Sequence, residues 1–135
     1  MKAEGSESRN LFRNLSPLDH RYYLENRELF DRLSDFLSEE AVVRYYARVE
    51  VALLAELLLM LPESVLPESA GSCDVGDLEK ELESVVDLID PAEVHAEEQR
   101  TQHNLRAVVH VLQRLLPEPV RHLVHLGATS FDVQD

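Results

Sequence analysis

Three short segments hold most of the side chains that could do chemistry. His125-Leu126-Gly127-Ala128-Thr129-Ser130-Phe131-Asp132-Val133 gathers an imidazole, two hydroxyls and backbone amides around a glycine-bearing turn. Such a composition holds anions by hydrogen bonds and positive charge. The second segment is Glu98-Gln99-Arg100-Thr101-Gln102-His103-Asn104, and the third is Ser16-Pro17-Leu18-Asp19-His20-Arg21-Tyr22. On composition alone the plain reading is favoured, because loops often contain His, Thr and Ser for reasons of turn formation. The remaining histidines, His95, His110 and His122, belong to no motif and read as structural or surface residues. No metal site is expected: no histidine has a second ligand at the i+4 spacing of zinc motifs, and His103 and His110, seven apart, share a face but not one ion.

The elements that must position these segments read as helices throughout, and the fold class is all-α. Residues 1–14 are polar and read as a flexible arm. Ser16-Pro17-Leu18-Asp19 has turn chemistry, and a short helix is expected from about Leu24 to Leu33. Ser38 followed by Glu39 and Glu40 is an N-cap with acids in the first turn, so a long helix should begin there. Val42, Val43, Tyr46, Val49, Leu53, Leu54 and Leu57 give it one apolar stripe, and Pro62 ends it. Residues 62 to about 76 read as a loop and Asp77 to Ile89 as a shorter helix with Leu78, Leu82, Val85, Val86 and Ile89 on one face.

Asp90-Pro91 is a cap followed by proline at the first helical position, opening a second long stripe through Val94, Leu105, Val108, Val109, Leu112, Leu115 and Leu116. Pro117 and Pro119 stop it, Val120 to Val124 read as another short helix, and a loop follows in which Gly127 is the conformationally free residue. Two amphipathic helices of about 22 to 26 residues, each about 33 to 39 Å long, thus dominate, with shorter ones between them. Helices so long and apolar in a chain of 135 residues imply further packing partners.

Bulk properties narrow the function. With 26 acidic and 13 basic residues and a formal charge of -13, binding to nucleic acid or an anionic membrane is electrostatically unfavourable. The apolar fraction of 44% suits a single globular domain. Cys73 is the only cysteine, which fits a reducing, cytoplasmic setting. No apolar run is long enough for a membrane span, and the N-terminal residues lack the apolar core of a secretion signal.

The three segments together resemble adenylosuccinate lyases, purine-pathway members of the fumarase/aspartase superfamily. HLGATSFD is similar to that family's first signature region, Glu98-x-x-Thr101-x-His103-Asn104 to its Glu-x-x-Thr-x-His-Asp helix, and Ser16-Pro-Leu-Asp-His20-Arg21-Tyr22 to its Ser-Pro-x-Asp-Gly-Arg-Tyr opening. Asn104 stands where the family has aspartate, and His20 where it has glycine. The segments follow the family's order and cover most of residues 15–135, which would be the N-terminal helical domain of such an enzyme.

The resemblance implies β-elimination of fumarate from adenylosuccinate, giving AMP, and from the succinylated aminoimidazole carboxamide ribotide, with no cofactor. Arg21 and Tyr22 would then contact the nucleotide phosphate. His103, with Thr101 and Asn104 beside it, would line the active site. His125, Thr129 and Ser130 would hold a substrate carboxylate. The family's catalytic base, a serine on a mobile loop, and its acid, a histidine, come from later segments, and its active sites are assembled from three subunits of a homotetramer. The expectation is therefore a fragment that binds AMP or adenylosuccinate weakly at best and has no lyase activity by itself. The alternative is a non-catalytic helical interaction module whose Val51 to Leu61 face docks another protein.

Overall fold

A computed structural model describes Arg13, residues 22–61 and residues 75–134. The remainder of the expected 1–14 arm, the Ser16–Arg21 opening and residues 62–74, Cys73 among them, lie outside the described residues, while the last two positions of the loop expected to about residue 76, Val75 and Gly76, are helical. The described backbone is helical: α1 (Arg27–Leu37), α2 (Glu39–Met60), α3 (Val75–Val86), α4 (Pro91–Thr101), α5 (Asn104–Leu115), α6 (Glu118–Arg121) and α7 (Ser130–Gln134), with no strand among the described residues. No helix among them is long and apolar enough to cross a membrane. The chain divides into two compact units, Met1–Val42 and Val43–Asp135, and the division falls inside α2.

In the first unit, α1 begins three residues later than expected and runs four further, to Leu37. Tyr22 O accepts from Asn26 N, which closes a turn before the helix can start. Ser38 stops α1 and starts α2. Its Oγ donates to Ser34 O at 2.6 Å and accepts from Ala41 N at 3.2 Å, satisfying one carbonyl at the end of one helix and one amide at the start of the next. Arg13 reaches Asp35 and, at 3.5 Å, Glu40.

In the second unit the core is built by Val43, Ala47, Val51, Leu54 and Leu58 of α2, Leu82 and Val86 of α3, and Val94 of α4. It is completed by Leu105, Val108 and Leu112 of α5 and by Leu116, Val120, Leu123, Val124 and Val133 beyond it. The buried face of α2 is rotated from the expected stripe: Val42 and Val49 are exposed, while Ala47 and Glu50 are fully buried. The physical reason is that the small residues Ala47 and Ala55 are buried on that face, and a stripe traced through the large apolar residues misses them.

The second long helix is two helices. Gln102 takes a left-handed conformation, φ 53°, and His103 is extended, φ -153°. The last turn of α4 is closed by Gln102 N donating to Glu98 O at 2.8 Å, and Gln102 Nε2 donates to Gln99 O. His103 then caps α5 by accepting from Arg106 N on its Nδ1 at 3.3 Å, and Thr101 Oγ1 donates to His103 O at 3.0 Å. The chain turns back at this break. Glu97 meets Arg114 at 3.1 Å, whereas 17 residues of continuous helix would separate them by about 25 Å. The expected rod is a hairpin whose arms, α4 and α5, pack side by side, with α5 also meeting α3 and α6.

Candidate functional site

A cleft of about 490 Å³ opens on the second unit, lined by His103, Arg106, Val109, His110, Gln113, His122, Val124, His125, Leu126 and Ser130. The α4–α5 break supplies His103, the exposed face of α5 supplies Arg106, His110 and Gln113, and the turns after α6 supply His122 and His125. No carboxylate is among these lining residues, although the chain has 26 acids against 13 bases. The wall of this acidic protein thus carries one fixed positive charge, Arg106, and a set of imidazole, amide and hydroxyl donors, which suits an anion.

Two of the four lining imidazoles are backed by a carboxylate. His125 Nδ1 lies 2.7 Å from Oε1 of Glu50, a residue of α2 with no exposed surface. Glu50 Oε2 has no hydrogen-bond partner among the described residues. Burial therefore pushes the Glu50 carboxyl above its usual range, and the His125 contact opposes that rise without cancelling it. His110 Nδ1 lies 3.0 Å from Glu97 Oε1, and Arg100 and Arg114 both reach Glu97 Oε2 at 3.1 Å. The His110 bond first, then the two guanidiniums, hold Glu97 below the ordinary carboxylate range despite some desolvation.

His103 is oriented differently. Its Nδ1 accepts from the backbone, so the neutral ring carries its proton on Nε2, which lies 3.2 Å from Ser130 Oγ. The imidazole donates to the hydroxyl, and the hydroxyl hydrogen is left for a ligand. In this arrangement Ser130 is a binding group, since His103 has no lone pair with which to take its proton.

Of the residues expected to bind substrate, the fold brings His103, His125 and Ser130 to the cleft. Thr101 is engaged at the helix break. Asn104 Oδ1 accepts from Leu105 N and from Gln134 Nε2, tying α5 to α7. Thr129 N donates to Asp132 Oδ2 at 2.8 Å, closing the first turn of α7. Tyr22 is half exposed in the first unit, and Arg21 lies outside the described residues.

Glu50, Glu97, Arg106, His110, Gln113 and His122 were not marked by any motif. Glu50 carried a readable signal, because it is the only acid between Glu40 and Glu56 and stands in register with Val43, Ala47, Leu54 and Leu58. A lone acid on a buried helix face needs a partner. No group of three or more metal-ligating side chains occurs among the described residues.

Left-handed backbone places the remaining wall. His125 has φ 65° and Gly127 φ 82°, so the turn is tight enough to bring the imidazole back toward α2. Glycine adopts this conformation freely, whereas for histidine it carries a cost that the short bond to Glu50 helps to offset. Compared with protein families, with curated proteins and with solved structures, the chain matches none.

Proposed function

We propose that the second unit binds the carboxylate-bearing end of a polyanionic substrate, as the N-terminal domain of a carbon–nitrogen lyase of the adenylosuccinate lyase kind. The observation that carries this reading is the 3.2 Å approach of His103 to Ser130. These residues come from two separate motifs 27 positions apart, both assigned to one substrate site by the resemblance. His125, from the second of those motifs, lines the same cleft. The absence of carboxylates among the described lining residues suits fumarate or a succinyl group.

In this reading Ser130 and His125 contact the carboxylate, His103 sets the hydroxyl, and proton abstraction is left to groups outside these segments. Purine nucleotide would be the larger part of the substrate, and a homotetramer the natural assembly. The interaction-module alternative has less to support it, since Val51, Leu54, Ala55 and Leu58 of the proposed docking run are buried in the unit's own core.

The test is a titration of the isotopically labelled chain with fumarate and, separately, AMP, followed by amide and imidazole resonances. Shifts centred on His103, His125 and Ser130 are expected with fumarate. Saturating fumarate that moves none of the three would end this reading. Release of fumarate from adenylosuccinate by the pure chain would refute the assignment of binding without elimination.

A further inference from the structure

Nothing about packing requires a glutamate at position 50. Its neighbours on the buried face of α2 are Val43, Ala47, Leu54 and Leu58, and an apolar residue of similar volume would continue that face without burying an oxygen that has no hydrogen-bond partner among the described residues. Replacing a buried charged pair by well-packed apolar side chains is commonly neutral or stabilising. A fully buried carboxylate with one bond to an imidazole and one bare oxygen is thus a poor structural device. It is a good device for controlling the imidazole.

The geometry states what it controls. Nδ1 of His125 faces Oε1 at 2.7 Å, so opposite the ionised carboxylate this nitrogen carries the proton of the neutral ring and Nε2 is the nitrogen available to the cleft. The groups around that ring are cationic or neutral: His122 on its own turn, and His103, Arg106 and His110 from the α5 side. Glu50 is the one carboxylate in contact with it among the described residues. An anionic oxygen arriving at Nε2 is held best by a protonated ring, and a negative charge behind the ring favours that form against the Arg106 guanidinium in the same wall.

We propose that Glu50 is a positioning residue for an anion-binding imidazole. It fixes His125 with Nδ1–H toward α2 and supplies the charge that keeps the ring protonated when a carboxylate or phosphate oxygen occupies Nε2. This rests on the reading of the cleft as an anion site and extends it to a residue 75 positions away in the chain. Glu97 stands in the same relation to His110, but with two guanidiniums already on its other oxygen it is also a structural tie between α4 and α5.

The experiment uses the full chain with Glu50→Gln and Glu50→Leu, and three readouts. Long-range proton–nitrogen correlations report the ring tautomer of His125, and calorimetry reports affinity for fumarate and for inorganic phosphate across the imidazole titration range. Glutamine keeps an acceptor for Nδ1–H and removes the charge, and leucine removes both. Wild type should show the Nδ1–H tautomer, E50Q should retain it, and E50L should lose it. E50Q should bind the preferred anion roughly tenfold or more weakly at neutral pH, and it should release the anion at a lower pH than wild type does. The two anions separate a carboxylate-selective site from a phosphate-selective one.

Equal anion affinity in wild type and E50Q would overturn the charge role. An Nε2–H tautomer in the wild type would overturn the positioning role. If the wild type binds neither anion, the proposed function fails, and the tautomers of the three proteins still decide whether Glu50 positions His125.

Discussion

Replacing Glu50 by leucine should stabilise the fold at alkaline pH and do so less in acid. The carboxyl of Glu50 is raised above its ordinary value of 4.5 by burial. Above 4.5 the unfolded chain has lost this proton while the folded chain still holds it. Stability therefore falls as pH climbs from the ordinary value through the raised one, and then levels. Glu50 contributes most favourably below 4.5 and is a liability above its folded value. The liability is the desolvation of one carboxylate oxygen without a partner, worth about 1–3 kcal/mol. Leucine leaves the His125 ring without its buried acceptor, but that ring, 27% exposed, can turn to water.

The expected gain for E50L at about pH 8 is therefore ~1–3 kcal/mol, or roughly 4–12 °C in Tm for a chain of this size. The gain should shrink toward about pH 4.5, where folded Glu50 is protonated and costs little. The assay is thermal and urea unfolding of both proteins, followed by far-ultraviolet circular dichroism. The quantity to plot against pH is the difference between them, since the other acids titrate in both. An E50L protein less stable than wild type at alkaline pH would show that the Glu50–His125 pair is net stabilising and refute the reasoning.

Glu97→Gln should have the opposite sign: Glu97 is held below the ordinary carboxylate value, so its contribution is complete above that value and is lost as pH falls through the folded one. The Tm deficit of E97Q should be full at neutral pH and close on acidification, and a deficit independent of pH would disprove the assignment. His103→Ala removes the α5 cap at a cost of about 1 kcal/mol, whereas His103→Asn should restore stability but not fumarate affinity, measured by melts and calorimetry together. Ser130→Ala should weaken fumarate binding with a stability within about 0.5 kcal/mol of wild type in urea unfolding. Leu112→Ala, at a position with no exposed surface, should cost about 2–5 kcal/mol in urea unfolding.

The helix starts were legible where a side chain announces them. Ser38 before two glutamates and Asp90 before Pro91 each mark a terminus in the sequence, and the structure uses both: Ser38 accepts from Ala41 N and Asp90 from Ala92 N. The break at Gln102–His103 was not legible. Neither glycine nor proline occurs there, the apolar period of the two arms is in phase across it, and a left-handed glutamine is uncommon enough that no local rule predicts one. In the site, motif residues identified His103, His125 and Ser130 because they are close in sequence to other polar groups. What surrounds them was invisible to that kind of reading: Glu50 reaches His125 from 75 residues away, and Glu97, His110 and His122 acquire their neighbourhood only once α5 folds back on α4 and the turns after α6 form. The α2 stripe failed for a related reason, since large side chains attract the eye while Ala47, with no exposed surface, lies on the face that is buried.

The two carboxylate–histidine pairs differ in how far the chain must travel to make them. Glu97 and His110 are 13 residues apart and Glu50 and His125 are 75 apart, a difference in loop-closure entropy of about 1.5 kcal/mol. The hairpin half of the cleft can thus assemble early from local encounters, whereas the turn bearing His125 has no reason to hold its left-handed shape until α2 has docked. A ligand that needs both halves would be recognised only by a chain that has finished folding, and hydrogen exchange should find the 122–128 amides released in a lower-energy opening than those of α5.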